Sequence, residues 1–245
     1  MDVLECIATR RSIRRFLQVP VDFETMMTVV EAGTLAPSSG NVQDWKFVVI
    51  DDKELKHQIA EHSLGQECIH NAAFLVVVCS DPEENERHYG LRGSRLYTVQ
   101  NCAAAIENML LAAHALELGG VWVGAFDEEK IRTLINIPSN ARPQAILAFG
   151  YPAEIPDKKI LRDLNMSIFF NSYGSRIRNI HRLFKDYSVD WQMRIDAART
   201  SFGKLAEKTK EAAKVTSEKV GKEGGSLLKK YQTKIKEKLD SKRIK

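Results

Sequence analysis

The chain has 245 residues, 44% hydrophobic and 28% charged, with 14 Gly and 7 Pro. That composition suits one full apolar core and excludes a collagen-like or wholly disordered chain. The longest apolar run, Ala72 to Cys79, is eight residues. It falls far short of the roughly 18 of a membrane span and predicts a buried strand.

The net charge of +4 hides a division. Residues 192–245 carry 16 Lys and Arg against 7 Asp and Glu, and the remainder 20 against 25. A mildly acidic body, 1–190, is therefore expected to carry a basic tail, 191–245. The N-terminus, MDVLECIATRR, has no basic-then-apolar leader and is taken as mature and cytoplasmic.

In chain order, Leu4, Ile7 and Ala8 give a short helical face that ends at Arg10. Asp22 is an N-cap for a helix through about Leu35, with Phe23, Met26, Met27 and Val30 facing inward. Ala36 to Asn41 is turn chemistry, and Trp45 to Ile50 is strand-like. An amphipathic helix follows from Asp52 to about Leu64, then the strand at 72–79. The polar segment Asp81 to Arg95, with Gly90 and Gly93, reads as a surface loop or lid.

The most apolar helix spans about Tyr97 to Leu118 and is greasy almost all round, which predicts a core or interface position. Gly119-Gly120 is expected to stop it. Strands follow at Val121–Phe126 and Gln144–Tyr151, with a short helix capped by Asp127 between them. The Lys-rich tail is expected to be helical. Leu228, Tyr231, Ile235 and Leu239 form a coiled-coil seam, and Gly221, Gly224 and Gly225 divide it. The tail is a candidate for weak self-association or contact with an anionic surface.

The usual chemical motifs are absent: there is no GxGxxG, no P-loop and no GxSxG. Cys6, Cys68, Cys79 and Cys102 lack metal-ligand spacing and read as buried thiols, so no metal site is expected. Two polar segments stand out. Arg10-Arg11-Ser12-Ile13-Arg14-Arg15-Phe16 sets guanidiniums beside a hydroxyl, a set that holds a phosphate or offsets an anionic ring. Ser38-Ser39-Gly40-Asn41-Val42-Gln43-Asp44-Trp45 offers short amides and hydroxyls that reach the polar edge of a flat heterocycle. A solvated basic turn and an ordinary loop are the bland alternatives.

Together these segments resemble the FMN-dependent nitroreductase family. The resemblance rests on RRSIRRF, APSSGNVQDWKFVVI, AAAIENMLLAAHALELGGVWVGAF, DEEKIRTLINIP and ARPQAILAFGYPAE in that order over residues 4–155, with IFFNSYG extending it to about 174. It implies an α+β fold, a mostly antiparallel central sheet flanked by helices, in an intertwined homodimer with FMN at the subunit interface. It places Arg10, Arg11, Ser12 and Arg14 at the FMN phosphate and pyrimidine edge, with Arg14 stabilising the reduced flavin. Ser38, Ser39, Asn41 and Gln43 fall on the loop that reads the flavin, chiefly from the partner subunit. Val123, Gly124 and Ala125 fall on a strand end whose backbone approaches the ring, and Lys158 or Lys159 supplies a further phosphate contact.

Two departures from the family pattern stand out. Asp44 occupies a position usually held by Pro, bringing a negative charge toward an anion site. Asn101 stands where an acidic residue is common. The implied activity is ping-pong hydride transfer from NAD(P)H through FMN to a nitroaromatic, quinone or similar small acceptor, with the flavin carrying the chemistry. Alternatives are reductive dehalogenation or oxidative flavin chemistry on the same fold, or a non-catalytic FMN-binding scaffold acting through its tail.

Overall fold

The computed structural model describes residues 1–157, 159–176, 195, 196, 199 and 200. The chain divides into two units, Met1–Phe202 and Gly203–Lys245, and every described residue belongs to the first. The tail helices and the seam from Leu228 to Leu239 lie outside the described residues.

Four strands form one sheet: β1 (Trp45–Ile50), β2 (Phe74–Ser80), β3 (Gly119–Val123) and β4 (Arg142–Gly150). Their order is β1-β2-β4-β3, and every pairing is antiparallel. β2 is central and buried at all seven positions, as its unbroken apolar run requires. Side-chain alternation divides the core into two layers. Phe74, Val76 and Val78 of β2, with Leu147 and Phe149 of β4, face α2 (Phe23–Thr34) and α6 (Thr98–Ala115). Leu75, Val77 and Cys79, with Ile146 and Ala148, face α3 (Lys53–Glu61), α4 (Glu67–His70) and α7 (Glu128–Leu134). Each buried Val, Leu or Phe contributes about 1.5–3 kcal/mol. Phe74 and Phe149 stack with centroids 5.1 Å apart.

Several helix ends follow the capping signals. Asp22, Asp52 and Asp127 accept backbone N–H groups of α2, α3 and α7 through their side chains. α1 (Val3–Thr9) packs on α6, where the Cys6 thiol donates to the Leu111 carbonyl at 3.3 Å. Lys56 is buried on α3, and its ammonium donates to Ala72 O and Ala73 O at 2.7 and 3.0 Å, tying α3 to the start of β2. Burial pushes its pKa down. All four cysteines are buried free thiols.

Three sequence expectations are corrected. Segment 81–95 is not a loop: α5 (Pro82–Arg92) is capped by Asp81, carries Pro82 in its first turn and bends at Gly90. A π turn at Gly93–Tyr97 then leads into α6. On α2, Phe23 and Met27 face outward, and Val29 and Gly33 take the inward positions with Met26 and Val30. Gly119 and Gly120 open β3 instead of capping α6; the left-handed residue after the helix is Glu117, at φ 65°. In the single chain, α6 is buried along one face. Val99 is exposed, and Ala103, Ala104, Leu111 and Ala112 are half-buried.

Candidate functional site

The basic segment is built from its backbone outward. After α1 the chain extends, and Ser12 forms a parallel bridge with Gly120 at the start of β3. Ile13 N donates to Gly120 O at 3.1 Å, Ala153 N to Arg15 O at 2.9 Å, and Leu17 N to Tyr151 O at 2.8 Å. Ile13 and Phe16 anchor it in the second core layer. The approach is close because Gly119 has no side chain, while Gly120 turns toward the first core layer. A Cβ on Gly119 would lie 2.7 Å from Ile13, and one on Gly120 2.8 Å from Phe149 and 2.9 Å from Leu110. Glu154 completes the anchor, its Oε1 accepting Arg14 N at 2.6 Å and Arg15 N at 3.2 Å.

The side chains then diverge. Arg14 is exposed, and its guanidinium lowers part of the upward shift that burial imposes on the Cys68 thiol of α4. Arg10 lies 3.5 Å from Glu107 in an ion pair of the partly exposed kind that adds little stability. Arg11 turns away, donating to Ala8 O and Arg10 O at 2.8 Å each. It lines a cleft with Thr9, His114, Leu118, Pro156 and Arg199. Burial, with Arg10 and Arg199 nearby, lowers its pKa. In the same cleft the Thr9 hydroxyl spends its proton on Glu5 O at 2.7 Å, so His114 Nε2, 2.8 Å away, donates to Thr9 Oγ1. Burial pushes the His114 pKa down to about 4.

The strand-end segment lies at the far end of β3. Val123 is buried, whereas Gly124 and Ala125 are exposed. The Gln66 amide donates to Ala125 O at 3.4 Å and to Ser63 O at 3.0 Å, joining this segment to the N-terminus of α4.

The polar loop is held differently. Gly40, Asn41 and Gln43 adopt positive φ of 54°, 59° and 55°. A left-handed Gln costs about 1–2 kcal/mol that the surroundings must offset. Local bonds contribute: Gln43 N donates to Ser38 Oγ, Asn41 N to Ser38 O and Val42 N to Ser39 O, each at 3.1 Å. The Asn41 and Gln43 side chains are exposed, with Gln43 Nε2 donating to Asn41 Oδ1 at 3.1 Å.

Beneath the loop lies a polar network that sequence reasoning missed. Asp44 is fully buried. Its carboxylate accepts from the Thr98 hydroxyl and from Asn101 Nδ2, the latter at 2.6 Å. Asn101 Oδ1 accepts Ser39 N at 2.9 Å, and Ser39 Oγ donates to Asn85 Oδ1 at 3.0 Å. Asp44 therefore points into the protein and not toward an anion site. The two departures noted in the sequence, Asp44 and Asn101, touch each other.

One copy of the chain does not unite the two polar segments. The loop hangs on Asn101 in the first turn of α6, while Thr9 sits on His114, thirteen residues further along. At 1.5 Å per residue those anchors are about 20 Å apart. Lys159 is exposed, and Lys158 lies outside the described residues. Glu154, Gln66 and Arg199 are further residues that the motifs did not single out. Among the described residues no group of His, Cys, Asp or Glu is placed to hold a metal ion, and no helix is long and apolar enough to cross a membrane.

An antiparallel sheet between helical layers, with guanidiniums at the start of β3 and an amide-bearing loop at the other end of α6, defines an α+β protein. The chain belongs to the Nitroreductase family, which it matches over residues 7–67 and 64–151. It is 36% identical over 160 residues to the "Putative NADH dehydrogenase/NAD(P)H nitroreductase" of Archaeoglobus fulgidus, covering 64% of this chain and 88% of the relative. It is 27% identical over 182 residues to the NADPH-flavin oxidoreductase of Vibrio harveyi, covering 70% and 75%. Its fold is similar to the crystal structure of an FMN-dependent nitroreductase of Clostridium difficile, with TM-score 0.61 and 26% identity over 70% of this chain and all of that one.

Proposed function

We propose that this protein is an NAD(P)H-dependent FMN oxidoreductase that works in a ping-pong cycle on a nitroaromatic, quinone or similar small acceptor. The observation that carries this is the donor set displayed by the family-matching segment. Arg10 and Ser12 lie where the chain crosses the start of β3, Arg14 lies on the α4 flank, and Gly124-Ala125 is bare backbone on that same flank. These groups fit FMN. The Arg10 guanidinium and the Ser12 hydroxyl suit its phosphate. The Gly124-Ala125 backbone offers close approach to a flat ring, and the Asn41 and Gln43 amides suit the pyrimidine edge.

The bound flavin would supply the acceptance and donation of hydride. Arg10 binds and orients, held in reserve by a weak pairing with Glu107 that a phosphate displaces. Arg14 would offer positive charge to the bound, reduced flavin, a stabilisation strongest where water is excluded. Glu154 fixes the Arg14 backbone so that this charge is positioned before reaction. The NAD(P)H assignment is supported by the names of the relatives reported above.

We further propose a homodimer. The roughly 20 Å between the loop anchor and the Thr9–His114 contact supports a site in which one subunit's Asn41 and Gln43 meet the other's Arg10 and Arg14. Val3, Leu4 and Ile7 of α1 and Val99 of α6 are exposed in a single copy. The row Val3, Leu4 and Ile7, on one face of α1, supports an interface there. The acidic body and basic tail remain proposed separate regions divided near 190. Because Ile195 and Arg199 line the Arg11 cleft, a truncation that tests the tail should end after Phe202.

The decisive experiment is the absorbance spectrum of the purified protein, followed by turnover with NADH or NADPH and a quinone. Flavin bands at about 370 and about 450 nm with NAD(P)H oxidation are expected. Flavin binding without turnover would favour the scaffold reading. Failure to bind FMN after reconstitution would overturn the proposal.

A further inference from the structure

The buried carboxylate of Asp44 is bonded to neutral donors, the Thr98 hydroxyl and the Asn101 amide. A buried charge held by neutral partners is a costly feature, so packing does not explain it. Its consequence is orientational. An ionised carboxylate only accepts hydrogen bonds, whereas an Asn amide presents NH2 on one side and oxygen on the other. With the Asp44 carboxylate on one side, Asn101 must turn its NH2 toward it. That leaves Asn101 Oδ1 directed at Ser39 N, 2.9 Å away, with Nδ2 also 3.1 Å from Ser39 Oγ. The Ser39 hydroxyl then donates to Asn85 Oδ1. A single orientation thus propagates from Asp44 through Asn101 to Ser39, where the left-handed turn that displays Asn41 and Gln43 begins.

We propose that Asp44 is the positioning residue of loop 38–43: its charge selects the orientation of Asn101, and Asn101 locks the loop in the shape that meets the flavin. The last clause rests on the flavin reading; the locking of the loop does not. An Asn at 44 can face its neighbour with either a donor or an acceptor, so it no longer dictates how Asn101 turns. An Asp at 101 needs no orienting, because both its oxygens accept. One carboxylate and one amide are required across this contact, and their places are exchangeable.

The test is an exchange of charges: Asp44→Asn, Asn101→Asp and the double variant, each made in the full chain. Hydrogen–deuterium exchange of amides 39–42 without flavin reads the loop, FMN titration reads the site, and protection of β2 reads the fold. Asp44→Asn is expected to speed loop exchange and weaken FMN binding by about tenfold each, with β2 protection retained. Asn101→Asp, which sets two carboxylates face to face, is expected to do worse. The double variant should return to within about threefold of the parent in both readouts.

Loop exchange and FMN affinity within about twofold of the parent in Asp44→Asn would overturn the proposal, as would a double variant no better than the weaker single one. If Asp44→Asn does not fold, the double variant decides alone: a folded protein with a protected loop supports the proposal, and any other result overturns it. If the parent binds no FMN, the flavin reading fails, and loop exchange still judges Asp44.

Discussion

The two polar segments that stand out in the sequence are built by opposite means. The basic segment, 10–16, is fixed by its backbone: Gly120, Glu154 and Tyr151 take its main-chain groups, Ile13 and Phe16 are its anchors, and the Arg14 and Arg15 side chains are left to solvent. The loop, 38–43, hangs on side chains, with Asp44, Asn101 and Ser39 forming a buried relay beneath a strained turn. A backbone-held segment tolerates changes of side chain but not of its neighbour's shape. A segment held by side chains is sensitive to a single proton or charge.

That contrast is open to attack, first at the packing. Gly119→Val places a side chain where a Cβ alone would already lie 2.7 Å from Ile13. Overpacking of this kind is expected to cost about 3 kcal/mol, read as a lower urea midpoint. Exchange at the 38–43 loop relative to the rest of the chain should change little. An unchanged midpoint would show that the close approach at Gly119 does not secure the segment.

The next effect is a pH dependence at the cleft behind Arg11. Burial, with Arg10 and Arg11 adding to it, holds His114 near pKa 4, whereas an unfolded His binds its proton at about 6.5. Between those values the unfolded chain gains a proton that the fold refuses. Stability should therefore fall as pH drops from 6.5 toward 4, by up to about 3 kcal/mol. His114→Gln, which keeps an amide toward Thr9, should lose that component when urea midpoints are compared at several pH values. A slope equal to that of the parent would assign the acid sensitivity elsewhere.

Arg10→Ala and Arg14→Ala are expected to leave the fold intact and to weaken FMN by about 1.5–3 kcal/mol each, the scale of a charge-assisted hydrogen bond. Retention of FMN through desalting by the double Ala variant would remove the basic segment from the site. The smallest change is Asn41→Gly. Glycine suits the left-handed backbone at φ 59°, so stability should hold while loss of the amide costs about 0.5–1.5 kcal/mol of FMN affinity. Calorimetry reads both; a fall in stability larger than the fall in affinity would assign Asn41 to the loop and not to the ligand.

Legibility followed the physical signal. β2 and α2 announced themselves through apolar patterning and caps. α5 did not, even though Asp81, Pro82, Glu83 and Glu84 are helix-start residues, because no apolar stripe follows them; Asn85 is its buried residue. Phe23 and Met27 were misassigned because apolar residues outnumber inward positions on α2. Gly119-Gly120 looked like a helix stop, since the reason for two glycines lies in Ile13, Phe149 and Leu110, all distant in sequence. Asp44 was noticed only as a misfit. Its meaning depends on Asn101, 57 residues away.

Local chemistry alone determined the strand and helix alternation, the buried thiols, the family and the residue types of the proposed flavin-binding edge, because periodicity, caps and charge clusters are properties of neighbours along the chain. Tertiary structure decided which of those residues turn outward. It faced Arg11 into a cleft, left Arg14 exposed, buried the Asp44 carboxylate and set the two polar segments at opposite ends of α6. Those outcomes depend on which side chains from remote segments share a contact. A hydrogen-bond partner or a steric limit has no trace in the sequence until the fold brings the two ends together.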